Sequence, residues 1–246
     1  CARFNPTTGA WSSLGSGTDS DVRAISVLPS GDLVVGGDFA TAGETVANHV
    51  ARYEPISNAW SAMAGGTDGP VHALAVLPDG SVIVAGDFTV AGGTVANHIA
   101  HYDPMADTWS SFGAGTDGVV YALAVLPDGD LIVGGNFFNS NGVATNRIAR
   151  LNPVTGVWSA LGSGVTGVVR AVAVLADGRV IAGGDFTTAG GVAARCIARY
   201  NPATGQLEAG FDRRLPPVNV HIVSTTEGSG GSLSAHVEIR SGPVLL

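Results

Sequence analysis

The side chains that could do chemistry are thinly spread over this chain of 246 residues, which holds 6 His, 2 Cys and 20 Asp or Glu. His98-Ile99-Ala100-His101 puts two imidazoles three residues apart. On a strand that spacing sends them to opposite faces, so they cannot chelate one ion together. Asp128-Gly129-Asp130 and the other Asp-Gly pairs lack the further oxygen ligands of a calcium loop and read as β-turns. The Gly-rich stretches GSGTD (15–19) and GGTDG (65–69) precede no helical pattern, so they build no phosphate cradle. Neither a serine elbow nor a Cys/His pair is present. No metal, cofactor or catalytic residue is expected.

An internal period allows each candidate to be weighed against its equivalents. Trp11, Trp60, Trp109 and Trp158 stand 49 residues apart. Phe39, Phe88, Phe137 and Phe186 keep the same step, as do Pro6, Pro55, Pro104, Pro153 and Pro202. A residue imposed by the fold recurs in its column, and one that breaks its column is free to serve a function. Tyr53, Tyr102 and Tyr200 share a column with Phe4 and Leu151, which marks them as core. Two polar columns recur: Asp38, Asp87, Asn136, Asp185, and Arg3, Arg52, His101, Arg150, Arg199. They are expected to form hydrogen bonds or ion pairs between neighbouring strands, with an anion-binding ring of the Arg column as the alternative. Cys1 falls in the column of Val50, Ile99, Ile148 and Ile197, a buried strand position. A lipidated amino-terminal Cys is the other reading. Cys196 lies one column away and should face the opposite side of its strand, so no disulfide is expected.

The elements that must carry these residues are strands. In the unit from Val120, an apolar run Val120–Leu126 meets the turn Pro127-Asp128-Gly129, where Pro presets φ and Gly accepts a positive one. Leu131–Phe137 follows, then a Gly/Asn/Ser loop, Arg147–Leu151, a Thr155-Gly156 turn and a last strand around Trp158. Four short strands per unit with no uninterrupted helical stretch fit a propeller blade. Residues 1–17 supply only the third and fourth strands of a unit. Val218–Ser224 and Ser232–Arg240 read as a first and a second. The expectation is a single all-β domain, 1–246: a five-bladed β-propeller of four-stranded antiparallel blades. Its units are 18–66, 67–115, 116–164 and 165–215, and its closing blade pairs 1–17 with 216–246, which would remove exposed edges. The alternative is a piece of a longer repeat array.

Composition narrows the partners. Charged residues are 13 %, the net charge is −8, and every one of the 12 cations is Arg. Without clustered basic residues, nucleic acid and anionic membrane are excluded as partners. No apolar run approaches the roughly 18–20 residues of a membrane-spanning helix. Low charge, no Lys and Gly/Thr/Ser-rich turns point to the cell exterior or surface, in a larger surface protein or assembly. The chain opens on Cys1 rather than Met, so upstream sequence is expected.

The order of features resembles the kelch repeat of galactose-oxidase-like propellers. The diglycine ending the second strand is matched by Gly36-Gly37, Gly134-Gly135 and Gly183-Gly184, with Ala85-Gly86 departing from it. The phrases GGDF, IARYNP and TGQLEAGFD are also similar to bacterial delta-60 repeats and to propellers of fungal cortical polarity markers. The copper ligands of galactose oxidase have no match here, so its activity is not carried over. The kelch resemblance places the first strand innermost. One column there breaks the pattern: Arg23, His72, Tyr121, Arg170, Asn219. Such a ring at one mouth of the channel could hydrogen-bond to and stack on a sugar or another polar ligand. The plain reading is a solvated rim. Phe138-Asn139-Ser140-Asn141 is a second irregular patch, expected to protrude from the third full unit. The resulting expectation is a non-catalytic binding or structural module for a glycan or protein partner. A propeller enzyme acting on glycans, hydrolase or lyase, is the alternative. It would need two carboxylates converging at the channel, and the sequence offers none outside repeat columns.

Overall fold

The computed structural model describes residues 1–209 and the backbone of two later strands, Asn219–Glu227 and Leu233–Arg240. All regular structure in these residues is β. Four sheets each hold four antiparallel strands in chain order. Sheet one comprises Val22–Val27, Leu33–Gly37, Val50–Glu54 and Ala59–Ala62. Sheet two begins with Val71–Val76 and Val82–Gly86, sheet three with Val120–Val125 and Leu131–Gly135, and sheet four with Val169–Val174 and Val180–Gly184.

The sheets stack face to face, and the first strand of each lies beside the first strand of the next. Between sheets one and two, Val34, Val50 and Met63 pack on Val71 and Val82. Between two and three, Ile83 and Ile99 meet Val120, Leu131 and Val133. Between three and four, Ile132, Ile148 and Leu161 meet Val169 and Val180. This is propeller packing, with first strands around an axis and the core in wedges between blades. Phe39, Phe88, Phe137 and Phe186 are at most 2 % exposed, each stabilising by about 1.5–3 kcal/mol through burial.

Tryptophan ties successive units together. The indole Nε1 of Trp60 donates to Leu14 O at 3.0 Å, Trp109 to Met63 O at 2.9 Å, and Trp158 to Phe112 O at 3.3 Å. Trp11, by contrast, is 69 % exposed. It stacks on Phe4 at 5.1 Å within the hairpin Ala2–Asn5/Ala10–Ser13. Cys1, just before this hairpin, is exposed, contrary to the buried position its column implies. Val50, Ile99 and Ile148 are covered by a neighbouring sheet, whereas no described residue covers the hairpin. Cys1 and Cys196 are both free thiols.

One feature departs from the sequence reading. Each unit carries an extra two-residue hairpin between its second and third strands, such as Asn139–Ser140 with Val143–Ala144. It is bridged to the loop entering the first strand, at Thr18↔Ala42, Thr67↔Ala91, Thr116↔Ser140 and Val165↔Ala189. The terminal hairpins, Ala2–Ser13 and Asn219–Arg240, are each paired within themselves and form separate two-stranded sheets. Phe211–Arg214, where the sequence leaves its repeat, lies outside the described residues.

Candidate functional site

The irregular column is aimed by a β-bulge. In sheet one Val22 pairs with Gly37 and Ala24 with Gly36, leaving Arg23 as the extra residue. Tyr121 and Arg170 are the extra residues in sheets three and four, and His72 in sheet two, where Val71 pairs with Gly86 and Ala73 with Ala85. Bulges of this kind re-aim a side chain. The second glycine of each diglycine makes the bulge possible. A Cβ there would lie 2.0 Å from Asp21 O at Gly37, 2.1 Å from Pro70 O at Gly86, 2.2 Å from Val119 O at Gly135 and 2.0 Å from Val168 O at Gly184. At the first place a Cβ would press on the next sheet, 2.4 Å from Val71 Cγ1 at Gly36 and 2.5 Å from Val169 Cγ1 at Gly134, and sheet two carries Ala85 there.

Four of the five expected residues come together as a row across the inner strands. Arg23 grips Asp38 with two bonds, Nε to Oδ1 at 2.7 Å and Nη2 to Oδ2 at 2.5 Å. His72 and Tyr121 face each other with ring centroids 5.2 Å apart, tilted by 47°. The Arg170 guanidinium lies 5.9 Å from the Tyr121 ring centre and binds Asp185 through Nε at 2.8 Å and Nη2 at 2.6 Å. Asn219, the fifth, has its backbone opposite Arg240, and its side chain lies outside the described residues.

The electrostatics of the row are balanced. Arg23's hydrogen bonds hold Asp38 below the usual carboxylate range, with burial pushing the other way. Arg170 is raised, chiefly by its hydrogen bond to Asp185. Burial lowers the His72 pKa, and the charge of Arg23 lowers it further, so at neutral pH the imidazole is uncharged. The row therefore presents two neutralised Arg–Asp pairs flanking a neutral aromatic pair. A glycosidase acid must keep its proton near neutral pH, and Asp38, held low, is set against that role.

Members of the two recurrent polar columns form ion pairs between neighbouring strands, each with partners outside the other column. Asp38 and Asp185 meet Arg23 and Arg170, Asp87 lies 3.8 Å from His98 Nδ1, and Arg52 and Arg150 meet acids of the turn between the first two strands. Arg52 Nε donates to Asp32 at 2.8 Å, and Arg150 binds Asp130 at 2.5 Å and Asp128 at 2.7 Å. Sequence reasoning treated Asp38 and Asp185 as scaffold. Their spacing of 15 residues from Arg23 and Arg170 was the available signal. His98 precedes its strand with a φ of 63° instead of sitting on it. Its Nδ1 lies 3.3 Å from Gly86 O, while His101 turns to Ser110 Oγ at 3.3 Å. Among the described residues no three His, Cys, Asp or Glu stand together as a metal set. The Phe138–Asn141 patch is not a free protrusion. Asn139 Nδ2 donates to Asp117 at 2.7 Å, Asn141 Oδ1 accepts from Ala114 N at 2.9 Å, and Ser140 is buried. Phe138, Asn139 and Asn141 are exposed, and the Arg147 guanidinium lies 4.2 Å from the Phe138 ring centre.

Comparison with known proteins agrees with this architecture. The chain is similar to the extracellular domain of the putative one component system BT4673 from B. thetaiotaomicron, with a TM-score of 0.59 at 13 % identity, covering 85 % of this chain and 24 % of that one. A second structure, the extracellular domain of the putative hybrid two component system BT4673 from B. thetaiotaomicron, gives a TM-score of 0.53 at 14 % identity, covering 80 % and 23 %. The chain thus spans about a quarter of the length of either. No curated protein sequence matches it. The family described as Rax2 C-terminal beta propeller domain matches residues 4–125 and 111–236. The chain belongs to the Rax2 C-terminal β-propeller domain family.

Proposed function

We propose that this chain is a non-catalytic binding module of an extracellular or cell-surface protein, and that it engages a glycan or a protein partner at the channel mouth. The observation that carries this reading is the bulge-aimed row Arg23–His72–Tyr121–Arg170. Four sheets end their second strand on a glycine and point one variable residue each at the same place, and these residues are polar or aromatic. A tilted His72–Tyr121 pair offers a stacking surface, and the flanking ion pairs offer donors and acceptors. The extracellular domains named above share the fold and support an exterior location.

The ring is proposed to close as five blades, with Asn219–Glu227 and Leu233–Arg240 as the first two strands of the last blade and Ala2–Asn5 and Ala10–Ser13 as its third and fourth. Support comes from sheet one, where Ile25 and Val27 are 54 % and 62 % exposed. Their equivalents Leu74, Val76, Leu123, Val125, Val172 and Val174 all pack in the wedge clusters, so a further blade over Ile25 and Val27 would complete the pattern. Asn219 would then join the mouth row. Array binding to glycans and surface proteins, repeated with Tyr121→Ala and Arg170→Ala, tests the site. A drop of at least about tenfold, equivalent to 1.4 kcal/mol, is expected for each variant. Undiminished binding in both would remove it.

A further inference from the structure

At the end of the molecule away from the mouth, a cleft of about 450 Å³ opens between sheets one and two, lined by Pro29, Ser30 and Arg52 on one side and by Asp79, Ser81 and His101 on the other. Its origin lies in a departure of sheet two from the repeat. In sheet three the same corner is filled by the chain's own guanidinium. Arg150 Nε lies 2.5 Å from Asp130 Oδ2, its Nη2 lies 2.7 Å from Asp128 Oδ2, and Asn152 Nδ2 donates to Asp130 Oδ1 at 2.8 Å. In sheet one Arg52 pairs with Asp32 in the same way.

Sheet two keeps the turn acid and loses the cation. The columns of Asp128, Asp130, Arg150 and Asn152 read Asp79, Ser81, His101 and Asp103. Ser81 cannot form the ion pair, and the shorter His101 ring turns to Ser110 and stands edge-on to Phe112 at 6.2 Å. Asp79 Oδ1 accepts both bonds from Ser81, N at 3.0 Å and Oγ at 2.6 Å. No Arg among the described residues pairs with Asp79, although its equivalent holds one in sheet three. Asp103 adds a second carboxylate where sheet three has Asn152. Pro29 and Met105, the latter 95 % exposed, give apolar surface for a methylene stem. The facing Arg52 is neutralised by Asp32, which accepts from its Nε and Nη2, so it repels a cation weakly.

We propose that this cleft receives an arginine side chain from a basic partner protein, with Asp79 binding the guanidinium as Asp128 binds Arg150. The net charge of −8 favours approach of such a partner. The site is independent of the channel mouth.

The test uses the whole chain and the capped peptide acetyl-Gly-Arg-Gly-amide, with the citrulline peptide as its neutral isostere, read by calorimetric titration. Saturable binding of the arginine peptide is expected, with at least tenfold weaker binding of the citrulline peptide. Asp79→Asn should lower affinity at least tenfold. The double variant Ser81→Asp/His101→Arg restores the repeat and fills the corner with the chain's own guanidinium. It should abolish binding while its circular dichroism stays that of the parent. Asp79→Asn carries the test should the double variant fail to fold. Equal binding of both peptides, unchanged affinity in Asp79→Asn, undiminished binding in a folded double variant, or no saturable binding would overturn the proposal.

Discussion

His72 lies between unlike neighbours, the cation Arg23 on one side and the ring of Tyr121 on the other, and burial makes its charged form costly. Its folded pKa therefore lies below the unfolded value of about 6.5. Between those two values the unfolded chain binds the extra proton, so stability rises with pH there. The contribution is fully present above about pH 6.5 and is lost as pH falls toward the lowered folded value. The Arg23–Asp38 pair is lost only in more acidic solution, because Asp38 is held low. Chemical denaturation from pH 7 to pH 4.5 should show a decline in the parent that His72→Gln flattens. An equal decline in both would contradict this placement. The column of the row could be picked out in the sequence, since it reads Arg23, His72, Tyr121, Arg170 and so changes chemistry in nearly every unit. The Arg23–Asp38 and Arg170–Asp185 partnerships were not, because recurrence hid Asp38 and Asp185 among scaffold residues.

The second glycine of each pair lets the first strand bulge across the second. Gly135→Ala would press a Cβ against Val119 O, a backbone atom that cannot swing away. A loss of about 1–3 kcal/mol, the usual cost of overpacking, is expected in urea unfolding. Wild-type stability in Gly135→Ala would refute this account of the diglycine. The strands were readable from apolar runs and turns: Val120–Leu126 is observed as Val120–Val125, and Leu131–Phe137 as Leu131–Gly135. The bulge escaped notice because one added residue merely shifts the alternation. The trace it leaves is that Val71 and Leu74, an odd step apart, both approach the position of Gly36. The two-residue hairpins escaped because Gly, Thr and Asn at those positions read as loop, and only the bridge from the preceding loop turns them into structure.

At the scale of the whole molecule, the period and its complementary ends led to the expectation of a ring, and four sheets stand side by side with the expected wedges of core. The register offers a direct probe of the fifth. Val220 pairs with Ile239 as Ala24 pairs with Gly36, and Cys1 holds the column of Val50, the partner of Gly36. In a closed ring Cys1 and position 239 are cross-strand neighbours, within the roughly 4.4–6.8 Å between Cα atoms that a disulfide spans. Ile239→Cys in a Cys196→Ser background should form an intrachain disulfide on mild oxidation. Free thiols or only dimers would place the two termini apart. The claim on which the functional reading rests is that ligand binds at the bulge-aimed mouth. Amide shifts in ¹⁵N-labelled protein titrated with the best array ligand test it most directly. The largest changes are predicted at Arg23, His72, Tyr121 and Arg170. Changes confined to other surfaces, with these four unmoved, would contradict it.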